Sequence, residues 1–244
     1  MLAIFRKEVN LFLSSLIGYL TIAIFLVANG LVVWVFSDSN VFDSGFADLT
    51  TFFQFAPWIF LFLIPAITMR SFAEEQSTGT LELLSTKPIT EWQIVLGKYL
   101  ASVFLVAFSV LPTIVYFFAI YELASPVGNV DVGALIGSYI GLFMLGSTFA
   151  AIGMFSSSLT ANQIVAFIAG LFACFVLYQA FDSLAALPAF IGGLDAWLVR
   201  LSLAEHYRNM SQGVIDTRDL VFFGSMIAFF LALTQTVLLS RKWA

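Results

Sequence analysis

The side chains able to carry out covalent chemistry are few in this sequence. His206 is the only histidine, and Glu205 is its one acidic neighbour. Ser147 and Ser225 each follow a glycine inside an apolar stretch, and a serine hydrolase would need one of them within hydrogen-bond reach of a histidine base. Gly-Ser pairs are also common where membrane helices pack closely. Two hypotheses therefore stand for His206: the base of an intramembrane serine hydrolase, or a hydrogen-bonding group at the membrane surface.

The residues that a cysteine-based site or a phosphate-binding loop would need are missing from the sequence. The single cysteine, Cys174, lies in an apolar run, so neither a disulfide framework nor a cysteine metal site is available. No G-x-x-x-x-G-K-S/T phosphate-binding loop is present. The pair Gly97-Lys98 has a structural interpretation, in which the glycine permits close packing and the lysine chain reaches up to the membrane interface. The sequence predicts no catalytic, cofactor-binding or metal-binding residue in this chain.

The composition predicts which elements hold these residues. Hydrophobic residues make up 61% of the 244 residues and charged residues only 10%, with a mean hydropathy of +1.00. A soluble domain carries about 25% charged residues. So much apolar surface cannot be hidden in a core of this size, and much of it must face lipid. The net charge of −5 carries little information until it is divided between the two sides of the membrane, and no nucleic-acid partner is expected.

Six apolar stretches approach the roughly 20 residues that a helix needs to cross the hydrocarbon core. They contain almost no ionisable residue, whereas secondary transporters and proton relays place such residues near the midplane. This pattern disfavours an ion-driven carrier. The prediction is an all-α polytopic membrane protein with six transmembrane helices, placed near Leu16–Phe36, Thr51–Thr68, Tyr99–Tyr121, Val132–Phe155, Asn162–Phe181 and Leu220–Leu239.

The distribution of basic residues predicts the orientation of these spans. Lys and Arg are enriched on the cytoplasmic side of membrane proteins. With the N-terminus inside, that side receives seven of the ten basic residues and the outer side only three. Both termini are therefore predicted to be cytoplasmic. The seven inner residues are Arg6, Lys7, Arg70, Lys87, Lys98, Arg241 and Lys242, and the three outer ones are Arg200, Arg208 and Arg218.

Residues 1–14 precede the first span and have their own pattern. Apolar side chains recur at helical spacing, while Arg6, Lys7 and Glu8 fall elsewhere. This pattern indicates an interfacial helix that lies along the cytoplasmic leaflet. A simple extension of the first span is the alternative.

Residues 182–219 precede the last span and are too interrupted to cross the membrane as one straight helix. Pro188 and the Gly192-Gly193 pair break their apolar part. Broken apolar segments occur where protein or a cavity covers the backbone. We therefore expect a re-entrant extracytoplasmic segment of two half-helices that dip into the outer leaflet.

The loop of residues 70–98 is the most polar part of the chain. Gly79 permits a turn, and the residues after it can form a short helix that Pro88 should end. Thr90 with Gln93 makes a capping box, which starts the helix that enters the third span. The loop is thus predicted to be a compact helix–turn–helix projection into the cytoplasm.

This loop carries apolar and acidic side chains that suit a protein partner. Exposed leucines at positions 81, 83 and 84 would need a partner to cover them. The acidic residues could form ion pairs with basic residues of that partner, although exposed pairs contribute only about 0–1 kcal/mol each. The side chains concerned are Leu81, Leu83 and Leu84 with Glu74, Glu75, Glu82 and Glu91.

The loop also resembles a known family. The run from Glu74 to Leu84 (EEQSTGTLELL), then Pro88, then Gly97 to Leu100 (GKYL), is similar to the loop of ABC-2-type transporter permeases. The layout of the whole chain is similar as well. The tail is similar to gliding-motility-associated ABC permeases, in the segments His206-Tyr207-Arg208-Asn209, Gly213-Val214-Ile215-Asp216, Arg218-Asp219 and Ser240-Arg241-Lys242-Trp243.

The resemblance implies a function for the chain. Residues 1–244 would form one ABC-2-type transmembrane domain, a non-enzymatic permease subunit in the bacterial inner membrane. It would dimerise, with an identical copy expected as the second half, and dock two ABC ATPase subunits that bind ATP and Mg²⁺. An accessory membrane protein is a further expected partner. The loop would act as the coupling element, through Glu74, Glu75, Gly79, Thr80, Leu81, Glu82, Leu83, Leu84 and Pro88.

The family moves diverse cargo, so the resemblance names no substrate. A third hypothesis stands beside the transporter and the hydrolase. In it the chain is a non-transporting membrane scaffold that recruits motility or envelope proteins, and its function does not depend on nucleotide.

Overall fold

The computed structural model describes residues 1–36, 41–44, 47–81, 89–187, 193 and 195–241. Every regular element within these ranges is helical. In chain order the α-helices are α1 (Leu2–Leu13), α2 (Leu16–Trp34), α3 (Val41–Ser44), α4 (Thr50–Thr68), α5 (Arg70–Ser77), α6 (Glu91–Val110), α7 (Ile114–Leu123), α8 (Val132–Leu159), α9 (Gln163–Phe175), α10 (Phe181–Ala185), α11 (Asp195–Leu201), α12 (Leu203–Ser211) and α13 (Thr217–Arg241).

Among the described residues, five helical segments are long and apolar enough to cross a membrane, and a sixth is obtained if α1 and the residues Gly18–Trp34 of α2 count as one bent span. The prediction of an all-α polytopic membrane protein is therefore confirmed. The five segments are Thr50–Ser77, Glu91–Leu123, Val132–Leu159, Gln163–Ala185 and Thr217–Ser240.

Two of these segments change their helical type along their length. A 3₁₀ turn, Leu111–Thr113, joins α6 to α7, because Pro112 has no N–H to continue the α-helical bonding. A π-helical turn, Val176–Ala180, joins α9 to α10. The third and fifth spans, each predicted as one helix, are thus built from two helices.

Helix α8 lies at the centre of the bundle. It contacts α4, α5, α6, α9, α12 and α13. In its most apolar 18-residue stretch 72% is buried, against 22% in the corresponding stretch of α13. Small residues permit this packing: a Cβ at Gly146 would meet Val106 of α6 and Phe60 of α4. Since glycines allow helix backbones to approach closely in membranes, α8 is the element against which α4, α6, α9 and α13 pack.

Helix α1 packs against α6 and turns sharply into α2. Ile4 contacts the position where Gly97 has no side chain, and Val9 is buried. Ser15 then caps α2 by accepting a hydrogen bond from the N–H of Gly18 (3.1 Å). The bend of 67° between the two helices favours a distinct helix over an extension of the first span. Its position along the membrane surface stays a prediction.

The segment before the last span consists of short helices. Helices α10 and α11 contact each other. Helix α10, with 5 residues, is the end of the fifth candidate span, and α11, with 7 residues, is too short to cross a membrane. Pro188 and Gly192, where the break was predicted, lie outside the described residues. The depth of these helices in the outer leaflet stays a prediction.

Candidate functional site

The polar loop begins immediately after α4. Helix α5 starts at Arg70, and Gly79 follows it with a φ of +69°, a left-handed conformation that favours glycine. Thr80 and Leu81 are again helical. At the other end of the loop, Thr90 Oγ1 accepts from the N–H of Gln93 and Gln93 Oε1 accepts from the N–H of Thr90, both at 3.3 Å. The predicted turn and capping box are confirmed.

The predicted docking residues differ in where the structure places them. Glu74 lies at the surface, where its carboxylate is 3.1 Å from Arg70 Nε. Leu81 is half-buried and packs against the core, so it is not the freely exposed leucine that we expected. The remaining loop residues, Glu82, Leu83, Leu84 and Pro88, lie outside the described residues, and their role stays a prediction.

Glu75 also differs from the expectation, because it faces the bundle. It is only 8% exposed, and its Oε1 lies 2.9 Å from Lys7 Nζ and 3.0 Å from Lys98 Nζ. The sequence had suggested a surface carboxylate available to a partner. In the structure Glu75 instead forms ion pairs within the chain.

Lys98 is the centre of this ion-pair cluster. Its ammonium lies 2.8 Å from Glu8 Oε1 and 2.6 Å from the carbonyl oxygen of Ser71, in addition to Glu75. A lysine has three N–H donors, and these three acceptors come from α1 and α5. With its side chain 2% exposed, Lys98 is buried. The interpretation of Lys98 as a lysine reaching out to the interface is therefore wrong.

A serine of the central helix binds the start of α5. Ser157 Oγ accepts from the backbone N–H groups of Phe72 and Ala73 (both 3.0 Å) and donates to the carbonyl oxygen of Met69 (2.8 Å). The first amides of a helix have no partner within the helix, and here a side chain of α8 supplies it. Gln76 adds a hydrogen bond to the carbonyl oxygen of Ser158 (2.9 Å). Helix α5 is thus fixed to α8.

A cavity of about 220 Å³ lies beside this cluster, between α1, α4, α5 and α6. Charged side chains form one part of its wall, and apolar side chains from the spans form the other. The charged residues are Lys7, Glu8, Arg70, Glu74, Glu75 and Lys98, and the apolar ones include Leu11, Phe12, Ile67, Ala101 and Leu105.

His206 lies at the opposite end of the bundle and connects three helices. Its Nδ1 is 2.6 Å from Asp219 Oδ1 of α13 and its Nε2 is 3.0 Å from the carbonyl oxygen of Arg200 in α11. Its ring stacks on Phe222 with centroids 3.9 Å apart. Glu205, the partner considered from the sequence, instead bonds to Arg208 (2.8 Å). His206 therefore holds helices together.

The geometry does not support a serine hydrolase. Ser147 Oγ donates to the carbonyl oxygen of Phe143 and Ser225 Oγ to that of Phe222, each within its own helix. Both nitrogens of His206 already have other partners. The nucleophile–base hydrogen bond that such catalysis requires is absent among the described residues.

The exposed end of this segment is held by short-range bonds. The backbone N–H of Arg218 donates to Asp216 Oδ1 (3.0 Å), and this bond lowers the pKa of the exposed Asp216 carboxyl below its usual value. Within the described residues, no group of three or more His, Cys, Asp or Glu side chains could hold a metal ion.

These features define the membrane domain of a polytopic helical protein, with a polar loop bound to three of its helices. Residues 44–205 match a family described as "ABC-2 family transporter protein". Because this match covers more than half of the chain, the chain belongs to the ABC-2 transporter family.

The chain is also similar to two Escherichia coli proteins, from strain K12 and from O157:H7, that are named "Probable multidrug ABC transporter permease YbhR". Each is 28% identical over 145 residues, a match that covers 59% of this chain and 37% of the relative. The similarity thus spans well under half the length of these curated relatives.

Proposed function

We propose that this chain is the membrane-spanning permease subunit of an ATP-driven ABC-2 exporter. A separate ATPase subunit would bind ATP and Mg²⁺, and this chain would convert the motion of that subunit into substrate movement. Family membership and the permease name of the E. coli relatives support this proposal. The E. coli relatives are named as multidrug permeases, and a drug is therefore one candidate cargo for this chain.

One structural observation supports the proposed coupling role. Helix α5 is hydrogen-bonded to the bundle on two sides. Ser157 connects it to α8, and Lys98 connects it to α6 and, through Glu8, to α1. Both sets of bonds are largely buried, and those of Lys98 involve a charged group, which makes hydrogen bonds stronger. A partner that displaces the loop would therefore move α5 together with the central helix.

The docking surface would be the part of the loop beyond Gly79, together with Glu74. Leu83 and Leu84 would supply most of the docking energy, because burial of a leucine contributes about 1.5–3 kcal/mol. Glu74 and Glu82 would add ion pairs to basic residues of the ATPase. Glu75 has no part in this surface, since its carboxylate binds Lys7 and Lys98.

The assembly would contain two such chains and two ATPase subunits, with an accessory membrane protein as a further partner. It would lie in the bacterial inner membrane with both termini in the cytoplasm, as the seven-to-three distribution of basic residues predicts. The tail segments around His206 and Arg218 support membership of the gliding-motility-associated subfamily.

The test uses the double variant Leu83→Asp with Leu84→Asp, purified together with an ABC ATPase subunit from the same organism. We expect the variant to lose stimulation of ATP hydrolysis while its helical content stays unchanged. The matched control is Ala161→Asp, an exposed residue after α8 that lies outside the loop. Full stimulation by the double variant would contradict the proposal, and function that persists without any ATPase would favour the scaffold.

A further inference from the structure

A second cavity, of about 680 Å³, lies at the opposite end of the bundle from Lys98. It is bounded by the beginnings of α4 and α8, by the π-helical turn and by α12. Sites for small organic molecules are typically clefts of about 300–1,000 Å³. The π-helical turn contributes Tyr178 and Gln179 to the wall, and such turns inside α-helices are frequent at functional sites. The cavity thus has the size and the local structure of a ligand site.

Aromatic rings form one part of the wall and indicate the chemistry of the ligand. They belong to Phe53, Trp58, Tyr178 and Tyr207. The indole of Trp58 contacts the ring of Tyr178 edge to face, with centroids 5.9 Å apart, yet Trp58 keeps 41% of its surface exposed. The faces of aromatic rings attract cations, and those of tryptophan do so most strongly. This wall suits a cation that carries apolar groups.

The charged side chains of the wall also favour a cation. They are Asp48, Asp131 and Arg208. Arg208 is already paired, with Glu205 at 2.8 Å and with Asp182 at 3.1 Å. Asp48 and Asp131 are exposed, and neither carboxylate has an ion pair within the described part of the chain. Two negative charges of the wall are therefore unmatched.

Each of these two carboxylates keeps one oxygen for a ligand. Asp131 Oδ1 caps α8 by accepting from the N–H of Ala134 (3.0 Å), and Asp48 Oδ1 accepts from the N–H of Thr50 (3.2 Å). The surroundings add to their effect, because in the predicted orientation the outer side carries ten acidic and three basic residues. An excess of one sign of charge around a cleft attracts ligands of the opposite sign.

We propose that this cavity binds a lipophilic organic cation. Its charge lies near Asp48 and Asp131, and its apolar groups pack against Trp58 and Tyr178. A hydrated metal ion would make no use of the aromatic wall, and an anion would meet two carboxylates and an arginine that is already paired. That the bound cation is the exported cargo rests on the proposed function, whereas the binding itself does not.

The test compares tetraphenylphosphonium with tetraphenylborate, two ions of nearly the same shape and opposite charge. Equilibrium dialysis measures their binding to the purified full-length chain in detergent, with the uptake of protein-free micelles subtracted and no ATPase present. We expect the phosphonium to bind about tenfold more tightly, a difference that two exposed ion pairs can supply. Equal affinities, tighter binding of the borate or no binding of the phosphonium would each overturn the proposal.

A double variant, Asp48→Asn with Asp131→Asn, locates the binding. It removes both charges and keeps both backbone hydrogen bonds, because asparagine caps helices about as well as aspartate does. We expect the preference for the phosphonium to disappear. The matched control, Asp216→Asn with Glu122→Gln, removes two exposed carboxylates that are not part of this wall and should retain the preference. A preference that survives in the folded cavity variant would exclude this site.

Trp58→Leu tests the aromatic wall independently. Its control is Trp92→Leu, because Trp92 is equally exposed (40%) but lies at the start of α6, at the Lys98 end of the bundle. We expect phosphonium binding to weaken about two- to fivefold in Trp58→Leu alone, and equal binding by the two variants would contradict the proposal. Since no ATPase takes part in these measurements, a failure to bind would leave the proposed coupling function intact.

Discussion

Lys98 Nζ on α6 lies 2.8 Å from Glu8 Oε1 on α1, although 90 residues separate them along the chain. Glu75 Oε1 approaches the same ammonium to 3.0 Å. Removal of one partner from a buried ion-pair cluster leaves uncompensated charge. We therefore expect Lys98→Met to lower the free energy of unfolding by roughly 3–5 kcal/mol, as measured by circular dichroism during denaturation in detergent.

Lys7→Met is the control for this prediction. Lys7 binds the same Glu75 oxygen at 2.9 Å, but its side chain is 51% exposed. Exposed ion pairs contribute about 0–1 kcal/mol, so this variant should unfold almost like the unmodified chain. An equal loss of unfolding free energy in the two variants would mean that the burial of Lys98 does not make its ion pairs more stabilising than those of Lys7.

Ser157→Ala should weaken the attachment of α5 to the central helix. The substitution removes the acceptor of the Phe72 and Ala73 amides and the donor to Met69. Unsatisfied buried groups cost about 1–3 kcal/mol each, so for the two amides we expect a total loss of roughly 2–6 kcal/mol. If the chain has the proposed function, stimulation of the ABC ATPase subunit should fall as well, because the attachment of α5 to α8 is weakened.

The neighbouring substitution Ser156→Ala tests the specificity of this effect. Ser156 is buried too, but its hydroxyl donates only to the carbonyl oxygen of Ile152 in its own helix (3.1 Å). We expect less than about 1 kcal/mol of destabilisation and normal stimulation. The prediction for Ser157 fails if both variants behave alike.

Gly153→Ala should disturb the packing of α8 on α4. A methyl group at this position would overlap Thr68 Oγ1, and overpacking costs about 1–3 kcal/mol. Gly224→Ala, on the less buried α13, meets nothing within 4 Å and should be neutral or slightly stabilising. Thermal denaturation of both variants in detergent measures the difference, and a stabilised Gly153→Ala would contradict the close approach.

His206→Phe should loosen α11 while preserving the stacked ring on Phe222. The variant loses the hydrogen bond to the carbonyl oxygen of Arg200 and the contact with Asp219. Because trypsin cleaves after arginine, we expect faster tryptic cleavage at Arg200, measured by mass spectrometry. Glu205→Gln is the control, since Glu205 pairs only with the exposed Arg208 and its loss should leave the cleavage rate unchanged.

Local features of the fold could be predicted from the sequence because their partners are near in the chain. Thr90 and Gln93 are three residues apart, and Asn162 caps α9 through the N–H of Ile164 (2.9 Å). The apolar stretches likewise predicted the spans, because hydropathy over about 20 residues decides membrane insertion.

The contacts within the candidate site could not be predicted in the same way. Ser157 and Phe72 are 85 residues apart, and no short motif indicates that a serine near the end of one span will cap another helix. Lys98 has the position of a lysine that reaches to the interface, and only the approach of α1 and α5 reveals that it is enclosed. Burial of this kind depends on which helices become neighbours.

The enclosure of Lys98 has a consequence for membrane insertion. In the folded chain its charge is matched by Glu8 and Glu75, so it exerts little net attraction on anionic lipids. Lys98 can therefore influence the predicted orientation only in the nascent chain, before α1 and α5 have packed around it. Early in biosynthesis this residue would be a topological signal, and after assembly it becomes an internal structural cation.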